Sequence, residues 1–269
     1  MLIAVPGASD LGGVLGVNAG RPDALLGALR DRFGPFRHRH VLVLAPRHTA
    51  AAAREQAHIV VASDPAVRIC VLPLRHHGLT LALIGRAVLA AELRPDGWTD
   101  PGQAVQLVLS FAARSRSLVW HPRLGSVAEP GVTLAERAAS LLPARSYFYE
   151  LGTRGLIPAR LGLGIVSPDG WYATGTPSVL LEAGLGGVVP EPVLQFPAGD
   201  RPYAGRNSVE ISQLVPPYAA PIQGPACPSC TATLIGAQCA FCGCGPVGDL
   251  DPQTGVPITV APIERGVLL

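Results

Sequence analysis

Five of the six cysteines lie between Cys227 and Cys244, and four of them form two pairs, Cys227-Pro228-Ser229-Cys230 and Cys239-Ala240-Phe241-Cys242, eight residues apart. Two Cys-x-x-Cys knuckles place four thiolates around one tetrahedral ion, and Zn²⁺ accepts four sulfurs without redox chemistry. A shell of four thiolates leaves no open coordination position, so the zinc expected at Cys227, Cys230, Cys239 and Cys242 is structural rather than catalytic. An iron–sulfur cluster or a redox pair remains the alternative use of this spacing, and Cys244 adds a thiol that can exchange with Cys242. Such crowding is not a dispersed disulfide framework, which leads to the expectation of a reducing, cytoplasmic compartment.

From Ala226 to Gly245 the sequence closely resembles the short zinc-ribbon modules appended to many bacterial proteins, with Cys-Pro-x-Cys, a Leu-containing hairpin and Cys-x-x-Cys-Gly. The resemblance implies a metal-held β-hairpin spanning Cys227 to Cys242. It departs from the module at Thr231, where Gly is preferred, and at the additional Cys244. Between Cys227 and Asp249 there is no Lys or Arg, which disfavours direct nucleic-acid binding by the ribbon. Folding a segment too small to fold alone, or gripping a partner, is the expected role.

A second constellation emerges once strands are assigned, because the residues that follow them carry Arg, His and a Gly-rich turn. Gly7-Ala8-Ser9-Asp10 follows the first strand, Arg47-His48 the second, Arg75-His76-His77 the third and His121-Pro122-Arg123 the fourth. In α/β sheets ligands bind outside the carboxyl ends of parallel strands, where helix N-termini point inward. Arg forks and a Gly-rich turn in that position suit an anion. Gly7, Ser9, Asp10, Arg47, His48, Arg75, His76 and Arg123 are therefore the candidate binding residues for a phosphorylated or nucleotide-like ligand. If there is chemistry, His77 and His121 are the candidates for nucleophile or general acid.

Two motifs are approached and missed. Ile3 to Asp10 resembles the opening of short-chain dehydrogenases, but Leu11 stands where that family needs Gly and the chain has no Lys for a Tyr-x-x-x-Lys pair. Arg75-His76-His77-Gly78 resembles the Arg-His-Gly motif of histidine phosphatases, interrupted by one His and placed after the third strand rather than the first. There is no Gly-x-Ser-x-Gly elbow, Walker loop or His-Glu-x-x-His helix.

The elements that must position these residues follow from periodicity. Strands are expected over Leu2 to Val5, Val41 to Ala45, Val67 to Leu72, Ser117 to Trp120 and Tyr147 to Glu150. Helices are expected over Pro22 to Phe33, Ala50 to Ala57, Leu79 to Leu93, from Asp100-Pro101 onward, and over Leu134 to Leu142. Alternation of strands with such helices predicts an α/β domain over residues 1–152, a doubly wound, mainly parallel sheet of Rossmann-like or flavodoxin-like type. Residues 153–224 read as a Pro-rich β/extended region, since 16 of the 27 prolines lie beyond Glu150 and forbid long helices and central strands. Within it, Leu163 to Val166 and Trp171 to Thr174 flank Ser167-Pro168-Asp169-Gly170 as a β-hairpin. The ribbon occupies 225–246 and a tail 247–269.

Charge divides along the same lines. All 21 basic residues are Arg, and they outnumber 19 acidic residues only slightly. Up to Glu150 there are 16 Arg against 11 acids; beyond it there are 5 against 8. With 15% charged and 48% hydrophobic residues, the chain is not disordered, and a homo-oligomer or a protein-assembly partner is expected to cover part of its surface. No stretch reads as a membrane span, since Leu79 to Leu93 is too short and contains Arg86 and Glu92. Three function classes follow: a cytoplasmic bacterial protein binding an anionic ligand, a non-catalytic subunit or adaptor, and an enzyme of unrecognised type acting on a phosphorylated substrate.

Overall fold

A computed structural model describes residues 2–6, 15–17, 21–33, 40–92, 100–122, 124, 134–139, 146–151, 155–161, 163, 170–174, 177–185, 209–217, 224–236, 238–243 and 258–259. In chain order the elements are β1 (Leu2–Pro6), β2 (Leu15–Val17), α1 (Ala24–Phe33), β3 (His40–Pro46), α2 (Ala50–Ser63), β4 (Arg68–Leu74), α3 (Gly78–Glu92), α4 (Pro101–Arg114) and β5 (Arg116–His121). They continue with α5 (Leu134–Ala139), β6 (Tyr147–Glu150), β7 (Gly155–Pro158), β8 (Trp171–Ala173), α6 (Pro177–Glu182), β9 (Val209–Gln213) and β10 (Ile258–Thr259).

The strands form two five-stranded sheets, ordered β10-β4-β3-β1-β2 and β7-β6-β5-β9-β8. In the first, β1 to β4 pair parallel and β10 joins antiparallel at the β4 edge. β3 and β4, and Ile3 and Ala4 of β1, are buried on both faces, as parallel strands must be. Val41, Val43, Ala45, Ile69 and Val71 face α1 and α2, whereas Leu42, Leu44, Cys70 and Leu72 face α3 and α4. The helix-flanked parallel sheet expected from the sequence is present in this part of the chain.

The second sheet is wholly antiparallel, and it corrects the expectation of one five-stranded parallel sheet. Ser117 to Trp120 and Tyr147 to Glu150 are strands, but β5 and β6 pair with each other and with β7 and β9. The reason is local: no helix long enough to return the chain parallel separates β5 from β6 among the described residues, where α5 is six residues long. Of the hairpin expected around Ser167-Pro168-Asp169-Gly170, the second arm is strand β8, which pairs with β9, while residues 164–169 lie outside the described residues. β9 lies inside the sheet despite its Pro-rich surroundings, because no proline falls within Val209–Gln213 itself.

α3 connects the two sheets. It packs on β1 and β3 on one side and on β9 on the other, and Leu79, Leu81, Leu83, Ile84 and Val88 are fully buried. This explains why its sequence is apolar nearly all round. Each such side chain contributes about 1.5–3 kcal/mol on burial. No helix among the described residues is long and apolar enough to cross a membrane.

Candidate functional site

The antiparallel sheet has two unlike faces, because residues directly opposite each other across its strands share a side. Leu118, Trp120, Phe148, Trp171, Ala173, Val209 and Ile211 form an apolar core closed by Leu180, Ala183 and Leu185 around α6. The other face looks toward α3 and is built in rows. Ser117, Ser212 and Tyr172 make the first row, Leu156, Tyr149, Val119 and Glu210 the second, and Pro158, Tyr147 and His121 the third. Arg86 of α3 lies over the Tyr172 ring at 6.0 Å, which fixes this as the inner face.

A polar network joins this inner face to the start of α3. His77 donates from Nε2 to the carbonyls of Leu118 and Ile211, each at 3.1 Å. Its Nδ1 accepts from the Thr80 N–H at 3.4 Å and lies 3.3 Å from Glu210 Oε2, which accepts from the Leu79 N–H. Thr80 Oγ1 donates to Ser212 Oγ, and Ser117 Oγ lies 2.7 Å from both Thr80 Oγ1 and His76 Nδ1. His76 Nε2 donates to the Ala112 carbonyl at 2.7 Å. All of these side chains are buried and satisfied, as a polar network in an interior must be.

The network decides what the two histidines do. Arg75 is exposed while His76 and His77 point inward, so the Arg75-His76-His77 segment does not project as a unit into a ligand site. Burial holds the His76 imidazole down to about 4, against the backbone hydrogen bond to Ala112 that works the other way. Arg47 and His48 lie exposed in a 3-10 turn that follows β3. His48 is lowered by partial burial, with Glu210 acting in the opposite sense, so this strand end lies within electrostatic reach of the inner face. Gly7, Ser9, Asp10 and Arg123 lie outside the described residues.

His121 ends β5 on the inner face and is 3% exposed. Its Nε2 is buried without a hydrogen-bond partner among the described residues, and burial pushes its pKa down to about 4. Beside it, Leu124, Tyr147 and Leu156 form a small apolar cluster separate from the main cores. Glu210 is the residue that sequence reasoning missed. Its only signal was a lone acid within Val209–Gln213, and nothing local shows that this strand crosses the sheet to meet α3.

The four cysteines gather as their spacing implies. Their sulfurs all lie within 4.8 Å of one another, with Cys227 to Cys242 and Cys230 to Cys239 at 3.4 Å. Zn–S bonds of about 2.3 Å in a tetrahedron require sulfurs about 3.8 Å apart, so this arrangement could hold a metal ion. Two matching turns build it: Thr231 N–H donates to the Cys227 carbonyl at 2.9 Å and Gly243 N–H to the Cys239 carbonyl at 3.0 Å. The residues closing these turns have φ of +66° at Thr231 and +68° at Gly243. At Cys227 burial raises the thiol pKa, but hydrogen bonds from the Cys230 and Ser229 backbone and from neighbouring thiols outweigh it and bring the group to about 7.

This knuckle pair is part of the α3–α4 core rather than an appendage. Cys227, Ala232, Cys239, Ala240 and Phe241 belong to the same apolar cluster as Leu42, Leu72, Leu83 and Val108. The His40 ring, at the start of β3, meets Phe241 edge-on at 5.0 Å. Asp100 Oδ1 caps α4 by accepting from Gly102 N–H at 2.8 Å and Gln103 N–H at 3.1 Å, and it also accepts from Thr233 N–H at 2.9 Å. The cysteine cluster thus sits at the amino end of β3, opposite the end that carries Arg47 and His48.

Several solved structures share this architecture. A DegV family protein from Eubacterium eligens, loaded with heptadecanoic acid, superposes with a TM-score of 0.60 at 12% identity, covering 80% of this chain and 99% of that one. The chain has a DegV-like fold. A DegV lipid-binding protein from Thermotoga maritima matches with a TM-score of 0.55 at 11% identity, over 80% and 99% of the two chains. A stearic acid-binding protein from Eubacterium ventriosum gives 0.52 at 13% identity, over 79% and 97%. No protein-family model and no curated protein matches the sequence.

Proposed function

We propose that the chain is a fatty-acid-binding protein that holds its ligand between the carboxyl ends of β3 and β4 and the inner face of the antiparallel sheet. The observation that carries this reading is the DegV-like fold, which spans 99% of a protein loaded with heptadecanoic acid. The inner face supports it, since Val119, Tyr147, Tyr149, Leu124 and Leu156 offer apolar and aromatic surface at one end. Arg47 and Arg75 are exposed at the ends of β3 and β4 and supply charge for the carboxylate. An acyl ligand replaces the phosphorylated or nucleotide-like anion of the sequence reading, because His76 and His77 are spent on internal hydrogen bonds.

Delipidated protein titrated with radiolabelled palmitate should bind it saturably, with ATP and inorganic phosphate failing to compete. Replacing Arg47 and Arg75 together by Ala should weaken binding roughly tenfold, the loss expected for charge-assisted contacts to a carboxylate. Displacement of palmitate by ATP, or no saturable uptake of palmitate, would overturn the reading. We further propose that Cys227, Cys230, Cys239 and Cys242 hold one structural zinc ion. The all-sulfur donor set and its tetrahedral spacing support zinc over harder ions, and the site's place in the core supports a structural role.

A further inference from the structure

His121 is the least explained polar group of the inner face. The neighbouring polar side chains, from Ser117 to Ser212, close their hydrogen bonds among themselves, whereas His121 Nε2 is buried with no partner among the described residues. Leaving such a group dry and unpaired is costly, so a buried polar atom of this kind marks a missing partner. Tyr147 lies directly opposite His121 on β6 and forms an apolar cluster with the fully buried Leu124 and with Leu156. Arg47 and Arg75, exposed just after β3 and β4, follow strands of the other sheet, whereas His121 ends β5 of the antiparallel one.

We propose that His121 recognises an oxygen on the chain of a bound fatty acid, so that the preferred ligands are hydroxylated acids rather than plain hydrocarbon-tailed ones. This rests on the fatty-acid-binding reading and names the substrate class for that same site. A hydroxyl both donates and accepts, and so it satisfies either tautomer of a neutral imidazole. A methylene at the same place leaves the nitrogen unpaired. Burial keeps His121 neutral above about pH 4, which suits an uncharged oxygen better than a carboxylate. A site that holds a polar partner discriminates against analogues lacking it.

The experiment compares stearate with a positional series of hydroxystearates on delipidated wild-type protein and on His121→Leu and His121→Gln. At least one hydroxystearate should bind the wild type roughly tenfold tighter than stearate, the discrimination expected for one buried hydrogen bond. His121→Leu should erase or invert that preference and His121→Gln should keep part of it. If His121→Leu does not fold, the wild-type series alone still decides. Equal affinity for stearate and every hydroxystearate overturns the assignment of His121 while leaving fatty-acid binding intact. Failure of all of these acids to bind overturns both.

Discussion

Thr231 holds a backbone conformation that L side chains adopt at a cost. With φ at +66° it closes the first knuckle as Gly243, at +68°, closes the second. The left-handed region costs a non-glycine residue about 1–2 kcal/mol, and glycine gives back part of this through its greater freedom in the unfolded chain. Thr231→Gly should therefore raise stability by about 0.5–1 kcal/mol, measured as the shift of a urea midpoint. Gly102 is constrained for another reason, since a Cβ there would lie 2.0 Å from the Thr233 carbonyl oxygen. Gly102→Ala should destabilise by about 3 kcal/mol in the same assay, because backbone has to move to make room. An unchanged midpoint would mean that the knuckles do not rest on α4.

Acid sensitivity also belongs to single residues. Burial depresses His76 and His121 to about 4, below the usual 6.5 that an unfolded chain restores. The unfolded state therefore binds the extra protons first, and stability is full above about pH 6.5 and falls as pH drops toward about 4. Stability measured by urea across that window should decline, and His76→Leu or His121→Leu should make the decline shallower. A steeper decline in those variants would contradict the burial seen here.

At the scale of elements, strand positions were legible and strand partners were not. β1, β3 and β4 fall where Leu2 to Val5, Val41 to Ala45 and Val67 to Leu72 are expected, because apolar runs suit strands buried on both faces. Ser117 to Trp120 is equally apolar, yet its partners are β6 and β9, the latter about ninety residues later. Periodicity reports which face is buried and says nothing of such distant pairing. The Arg75-His76-His77 segment shows the same limit, since only the packing of α3 against β9 decides that the Arg is out and both His are in. The cysteine knuckles were legible because their chemistry is local, although their docking through Asp100 was not. That docking gives zinc removal a distant effect: chelation should lower the thermal midpoint and deprotect amides in the first turn of α4, read by hydrogen exchange. Metal analysis should find about one zinc per chain, and iron absorbance would reassign the site.

The described residues form two sheets joined by one buried helix, with the four-cysteine cluster at the amino end of β3 and the proposed acyl site at the carboxyl end. The network from His76 to Glu210 hydrogen-bonds the start of α3 to β5 and β9, while His121 faces inward at the end of β5. Near-neutral net charge concealed this division, since Arg and His collect in the half that supplies the strand ends. The most direct measurement is organic-solvent extraction of the protein as purified from cells, followed by mass spectrometry of the extract. It should release about one fatty acid per chain, as a single enclosed site allows, with hydroxylated acids enriched over their share of the host's lipids. An extract free of fatty acids, from protein that also fails to take up palmitate when delipidated, would contradict the account.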